Sequence, residues 1–358
     1  VTGPTQDAAV AATEDLAPHE LRGRILARVE QRLADFLAAE RDTFEKQQPD
    51  SVELLDTVAA MVSSGGKRLR PAFCIAGYLA AGGDPESPQL VDAAAALEFL
   101  HTFVLMHDDV MDDADLRRGE PTTHIVHTRL HEERGWRGDS RRYGEGVAIL
   151  GGDLAHVFAN RLMQDMPPKV RTVWSELCTE LMSGQFLDMR AAARFRPDPR
   201  LARHIALFKS ARYTISRPLA VGAALADNDE IISTFEEYGQ ATGEAFQLRD
   251  DLLDAFGSTQ ATGKPTWLDF KQHKMTLLMS FAMRDEPEVA ALVGDDLSAV
   301  EPEKLHALLT RTGIRDRVEA VIDSQVKVAS EAVRAADISP ELTEELTTMA
   351  HTVAYRDS

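Results

Sequence analysis

Two nearly identical acidic clusters, far apart in the chain, hold the residues best suited to chemistry. One is Asp108-Asp109-Val110-Met111-Asp112 and the other Asp250-Asp251-Leu252-Leu253-Asp254. Each sets carboxylates at i, i+1 and i+4 within an apolar run, so on a helix the first and last share a face one turn apart. Like charges at that spacing destabilise a helix unless something positive sits between them. Two such pairs read as two halves of one divalent-metal site. Magnesium suits it better than calcium or zinc: it takes oxygen ligands, keeps waters, and is held by one or two carboxylates plus substrate phosphates. The plain alternative is a pair of solvated acidic faces, and the apolar flanks and the repetition count against it.

Cations supply the other half of the chemistry. Gly65-Gly66-Lys67-Arg68-Leu69-Arg70-Pro71 places three cations behind a glycine pair. Glycine lets a backbone approach an anion closely, and a helix N-terminus favours negative charge. Arg117-Arg118-Gly119 follows the first acidic cluster closely enough to reach phosphates held by its metals. Lys209-Ser210, Lys264 and Lys274 are further candidates, each also readable as an ordinary solvated lysine. His101, on the same helical stripe as Asp108, reads as a core histidine when alone, or beside Lys67 and Arg70 as a donor to a second diphosphate. One metal-bound anion next to one metal-free anion implies a reaction that joins two phosphorylated substrates.

The elements that must position these groups read as helices almost throughout. No sustained period-two alternation appears, and glycine and proline fall between segments of helical length. Long helices are expected at about 18–47, 88–113, 147–165, 168–192, 199–224 and 229–256, with shorter ones at 51–62, 69–81 and through much of 275–353. Arg129 to Gly146 reads as a surface loop, and Gly257 to His273 as a mobile flap. Residues 1–17 are expected to be a disordered tail before a single domain at 18–358. Both acidic clusters lie near the C-terminal ends of their helices, at the mouth of a bundle.

Composition bounds the possibilities. The chain has 358 residues, is 44% hydrophobic, and carries 39 basic against 58 acidic residues, a net charge of −19. That balance argues against a nucleic-acid surface and against attraction to anionic lipid. A phosphorylated substrate would be repelled unless metals and a few clustered cations reverse the local field. Cys74 and Cys178 are too few for a disulfide framework and suit a reducing cytoplasm. Val1 to Pro18 has neither a basic start nor an apolar core, so no secretory signal is expected. The stretch Val91 to Met106 is too short and polar to span a bilayer.

These motifs resemble the trans-isoprenyl diphosphate synthases, or polyprenyl synthetases. The resemblance rests on Gly65 to Pro71, on His107 to Asp112 with Leu116-Arg117-Arg118-Gly119, on Gly184-Gln185-Phe186-Leu187-Asp188, on Lys209-Ser210 (the family's lysine–threonine pair with serine substituted), and on Phe246 to Asp254. It runs from about Val52 to Tyr355-Arg356-Asp357. It implies a single all-α domain around a deep central cavity, usually a homodimer. It further implies magnesium, three ions with manganese as a substitute, anchored by Asp108, Asp112 and Asp250 with Asp109 and Asp254 in support. Arg117, Lys209, Ser210, Gln247, Lys264 and Lys274 would grip an allylic diphosphate (dimethylallyl, geranyl or farnesyl). Lys67, Arg70, His101 and Arg118 would bind isopentenyl diphosphate without metal.

Some positions depart from the family pattern or leave a choice. Trp267, Leu268 and His273 are unusual within Thr266–His273, the expected flap. Phe103 and Val104, one turn before Asp108, would set the floor beneath the growing product. The bulky Phe103, the small Val104 and the two-residue spacing of the first cluster resemble the archaeal type and point to a twenty-carbon geranylgeranyl product, with farnesyl as runner-up. A class I terpene cyclase would share the first cluster, but Asn228, Asp229, Ser233 and Glu237 miss the spacing of its second site by one residue. A non-catalytic subunit of a heteromeric synthase would typically lose one aspartate cluster, and both are intact here.

Overall fold

The computed structural model describes residues 16–257, 274–294 and 300–356. The chain begins with α1 (Pro18–Gln47), α2 (Val52–Ser63), α3 (Leu69–Ala80) and α4 (Pro88–Met111). A two-residue ribbon, β1 (Leu116–Arg117) with β2 (Glu120–Pro121), leads to α5 (Thr123–Glu133), α6 (Ser140–Met163) and α7 (Pro168–Arg194). α8 (Pro199–Ile205) runs into a π-helical segment (Ala206–Ser216) and on into α9 (Arg217–Leu225), then α10 (Ile232–Phe256). After the undescribed stretch come α11 (Leu277–Asp285), α12 (Pro287–Val293), α13 (Pro302–Arg311), α14 (Ile314–Arg334) and α15 (Pro340–Ala354). The all-α class expected from sequence is what folds.

α4 occupies the centre because it is apolar nearly all round, and a helix of that kind must be buried. Proline opens it, where a missing N–H costs nothing. Ala93, Ala94, Ala95 and Ala96 are fully buried, and these small side chains let α6 pack closely along α4. Phe36, Phe99 and Phe158 tie α1, α4 and α6 together, with ring centroids 5.1–5.6 Å apart. Each such pair contributes ~0.5–1.5 kcal/mol beyond its buried area. α4 is long and apolar enough to cross a membrane, yet 72% of that window is buried inside the protein, so it is a core helix.

Two sequence expectations change. The predicted loop at 129–146 is instead the end of α5 and the start of α6, leaving a turn at 134–139. Its inward stripe is histidine: His124, His127 and His131 are buried at helical spacing, so the apolar period is hidden in residues that do not count as apolar. α6 starts where Asp139 accepts a hydrogen bond from Arg142 N at 2.8 Å. The helix expected at 199–224 is continuous, but its middle eleven residues take the wider π form. That widening recurs at functional sites, and here it carries Lys209 and Ser210.

Candidate active site

α4 and α10 both end at an acidic cluster. Helix C-termini carry partial negative charge, so carboxylates there are unfavourable unless cations arrive from elsewhere. For the first cluster they come from the ribbon, the π segment and the chain before α11. Asp108 Oδ1 accepts from Lys209 Nζ at 3.1 Å and from Gln185 Nε2 at 3.0 Å, and Arg117 lies 3.4 Å from Oδ2. Asp112 pairs with Lys274 at 2.5 Å. Asp109, fully buried, accepts from Arg117 Nε at 2.7 Å, and its Oδ2 has no partner. Burial works to raise the Asp108 carboxyl, but Lys209, Lys274 and Arg117 outweigh it and hold the group below the usual carboxylate range. Burial wins at Asp109 despite Arg117, and at Asp112 despite Lys274, so both are raised.

Lys209 is held in place by close packing of the π segment. A Cβ on Gly184 of α7 would lie 2.8 Å from Lys209 N, and one on Gly243 of α10 2.1 Å from Ala211 Cβ. Only glycine allows this approach, which lets Lys209 Nζ bridge Asp108 and, at 2.6 Å, Asp188. Burial alone would lower the Lys209 ammonium, but the two aspartates raise it and keep it charged. A cavity of about 110 Å³ beside it is lined by Asp188, Lys209, Ser210, Gln247 and Lys274.

The second cluster is more open. The side chain of Asp250 is 45% exposed and pairs with Arg356, whose guanidinium lies 4.0 Å over the Phe246 ring. Asp254, one turn on, is half-buried. Asp251 turns inward: it accepts from Gln247 Nε2 at 2.9 Å and from Leu278 N at 3.0 Å. Gln247 Oε1 in turn accepts from Ser210 Oγ at 2.7 Å. The middle carboxylate of each cluster is thus buried against its neighbours while the outer ones are partly exposed, as the ~100° rotation between consecutive helical residues allows.

A cationic patch adjoins this site. Gly65 and Gly66 take positive φ (80° and 154°), turning the chain into α3. Arg70 lies 4.1 Å over the Tyr213 ring and donates to Thr214 Oγ1 at 3.0 Å, while its Nε is buried without a partner. His101 Nδ1 meets the Tyr213 hydroxyl at 3.0 Å. Burial, then Arg70, Arg117 and Arg118, depress His101 well below its usual value, so it is neutral. Arg118, in the left-handed region at φ 55°, bonds Gly65 O and lies 3.3 Å from Ser64 Oγ. Lys67 is lowered by burial and then by Arg356. Of the three cations behind the glycine pair, Arg68 is turned away: it binds Glu30 at 2.6 Å and the buried Glu98, and serves the fold.

Phe103 stacks on His156 with centroids 4.9 Å apart and meets His107 edge-on at 4.7 Å, and Val104 is half-buried beside the central core. Lys264 and the flap at 266–273 lie outside the described residues. Sequence reasoning gave no role to Gln185, Asp188, Tyr213 or Arg356. Gln185 and Asp188 sit one helical turn apart after Gly184, a legible signal, whereas nothing local in Arg356 announces that it reaches Asp250.

The side chains of the two clusters offer carboxylate oxygens, and among the described residues no three His, Cys, Asp or Glu side chains form a metal-binding group. A magnesium ion fits such a donor set when substrate phosphates complete its shell. The unpartnered Asp109 Oδ2 marks a further carboxylate oxygen at the same place.

The family model for polyprenyl synthetase matches residues 52–308. Geranylgeranyl diphosphate synthase of Methanosarcina mazei is 30% identical over 81% of this chain and 86% of its own. Geranylfarnesyl diphosphate synthase of Aeropyrum pernix is 30% identical over 73% and 80%. The crystal structure of geranylgeranyl pyrophosphate synthase from Corynebacterium glutamicum, complexed with isoprenyl diphosphate and magnesium, superposes with a TM-score of 0.85 at 32% identity, covering 95% of this chain and 98% of that one. The paired clusters, their cationic clamps and the helical frame therefore sit in a chain most of which the family model spans, and the protein belongs to the polyprenyl synthetase family.

Proposed function

We propose that this enzyme joins isopentenyl diphosphate head to tail (1'–4) to an allylic diphosphate, using magnesium, to make geranylgeranyl diphosphate. The observation that supports the reading is a pair of carboxylate clusters, the first clamped by Lys209, Lys274 and Arg117, with the cationic patch of Lys67, Arg70, His101 and Arg118 beside them. The clusters hold an allylic diphosphate through metal; the patch holds isopentenyl diphosphate directly.

Asp108, Asp112, Asp250 and Asp254 would hold the metal, three ions in all, with Asp109 behind them and manganese as a substitute. Bound magnesium supplies charge to the departing diphosphate. Lys209, Lys274 and Arg117 add preorganised positive charge at the same place, in a buried setting where it acts strongly. Ser210 and Gln247, tied to each other and to Asp251, orient that wall of the site. Arg70, Arg118 and Lys67 fix isopentenyl diphosphate so that its double bond faces the allylic C1. Excluding water matters, because water would capture the allylic cation as an alcohol. No side-chain base stands among the motifs, so the released diphosphate takes the departing proton.

Phe103, with Val104 beside it, forms the floor that stops growth at twenty carbons; farnesyl diphosphate is the alternative product. A homodimer is supported by Ile149, Leu150 and Val157, which form one exposed apolar stripe on α6. The cyclase reading loses support, because Asp229 lies on Lys169 at 3.4 Å and Asn228 on Ala81 O, away from the first cluster. The test is incubation of the purified chain with magnesium, labelled isopentenyl diphosphate and each short primer, followed by chromatography. Twenty-carbon all-trans product is expected, and absence of isopentenyl incorporation would refute the condensation.

A further inference from the structure

Beside the ribbon lies a second and larger cavity of about 460 Å³. It opens between α2, the ribbon and α5, and Ala60, Met61, Pro121 and Val126 give it mostly apolar walls. A cavity of that size and character is in the range that holds a small organic ligand. Arg117 and Arg118 of the proposed diphosphate site line it, but none of the other proposed diphosphate-binding residues does.

His127 supplies the polar feature. It is 5% exposed and lines the cavity. Thr57 Oγ1 donates its one proton to Glu53 O at 2.8 Å, so it accepts from His127 Nε2–H at 2.9 Å. Burial lowers His127 below its usual value, against the opposing pull of Glu53, which keeps the ring neutral. A neutral ring with Nε2 protonated leaves Nδ1 as an acceptor. That Nδ1 is buried without a hydrogen-bond partner, Glu53 Oε1 lying 3.7 Å away, beyond hydrogen-bond distance. A buried acceptor of this kind costs stability until a donor arrives.

Charge narrows the ligand further. Glu53, Asp56 and Glu120 line the cavity, Glu53 beside Arg134 and Asp56 paired with Arg41, and its two arginines are likewise engaged, Arg117 with Asp109 and Arg118 with Gly65 O, which leaves no spare cation among these lining residues. An anion is disfavoured there. We propose that this cavity binds a neutral, apolar alcohol, whose hydroxyl donates to His127 Nδ1 and whose hydrocarbon part lies against Ala60, Met61 and Val126. Because Arg117 and Arg118 form walls of both this cavity and the diphosphate site, occupancy alters turnover without competing with either substrate.

Geraniol and its methyl ether are suitable probes, measured by equilibrium dialysis against the whole protein saturated with magnesium and a non-reactive allylic thiolodiphosphate. Geraniol is expected to bind under that blockade, and the ether, which cannot donate, to bind about fivefold more weakly, the loss of one ordinary hydrogen bond. Ala60 is on the exposed surface of α2, so Ala60→Trp fills the cavity without disturbing the core; it should weaken geraniol binding at least tenfold with kcat and both KM values within twofold of wild type. In His127→Phe the preference for alcohol over ether should vanish. In steady-state assays geraniol should lower or raise kcat in the wild type and leave Ala60→Trp unaffected. Loss of binding under the blockade, equal binding of alcohol and ether, an unchanged affinity in Ala60→Trp, or purely competitive kinetics would each overturn the proposal.

Discussion

The two aspartate clusters share a sequence pattern but not an environment. Asp108 and Asp112, each 16% exposed in the side chain, are enclosed by three cations from three separate segments. Asp250 is 45% exposed and pairs with Arg356, with Lys67 also within electrostatic reach. The first cluster is therefore built in before any substrate arrives, while the second keeps an exposed carboxylate whose paired arginine is the last described residue. The difference teaches that pattern repetition marks shared chemistry, whereas the burial and charge around each copy decide how it performs that chemistry.

The largest effects should come from breaking either copy. Asp108→Ala and Asp250→Ala are each expected to reduce turnover by several orders of magnitude, since one preorganised charge-stabilising group is typically worth ~3–4 kcal/mol and a metal ligand more. Their effects on stability should differ. Like-charge repulsion alone predicts that apo stability holds or rises on removing Asp108. Its environment reverses that expectation, because Asp108 is the carboxylate that Lys209, Lys274 and Arg117 hold below its usual range. A depressed folded-state value means stability present above the unfolded-state value and lost as pH falls through the folded one. Thermal unfolding at neutral pH should therefore show Asp108→Ala destabilised and Asp250→Ala nearly unchanged.

Next in size is the contrast between the carboxylate-cluster side and the cationic patch. Arg70→Ala or Lys67→Ala should raise KM for isopentenyl diphosphate by about 10–100-fold, the range of one or two charge-assisted hydrogen bonds. KM for the allylic primer should move far less. Chelating magnesium should do the reverse, abolishing productive allylic binding. Equal effects on both substrates would show the pockets to be wrongly assigned.

A smaller effect probes the exposed copy. Arg356→Ala removes a cation paired with Asp250, so half-saturation should need several-fold less magnesium, with turnover changed less than tenfold. A higher magnesium requirement would mean that Arg356 supports the site rather than occupying it. Phe103→Ala should lengthen the product by about one isoprene unit, since one helical turn rises ~5.4 Å; an unchanged product on chromatography would place the floor elsewhere. Smallest of all, burial pushes the Cys178 thiol up to about 12. It stays protonated at pH 8, and native protein should react with a maleimide far more slowly than unfolded protein.

Local signals made most of the site legible in the sequence. Acidic pairs at i and i+4, a glycine pair before cations and a Lys-Ser pair all act over one or two helical turns, and Asp108, Asp112, Lys209, Arg70 and His101 do gather. Arg68 misled because its neighbours in sequence are site residues while its partners, Glu30 and Glu98, belong to other helices. The start of α6 and the end of α5 were hidden because buried histidines replaced the apolar stripe. Arg356 could not be placed, since its contact with Asp250 depends on how α15 packs rather than on any residue near it in the chain. The π form of Ala206–Ser216 was equally silent, and the close approach of Gly184 and Gly243 to it comes from two other helices.

A double-mutant cycle in single-turnover kinetics tests most directly whether the two clusters form one metal site. Asp108→Ala, Asp250→Ala and the double variant would be compared at saturating magnesium and both substrates. If both clusters hold metal on the same diphosphate, the double variant should be no slower than the slower single variant, because either loss already disables the shared site. Losses that multiply, or near-wild-type turnover in either single variant, would contradict a single site built from both clusters.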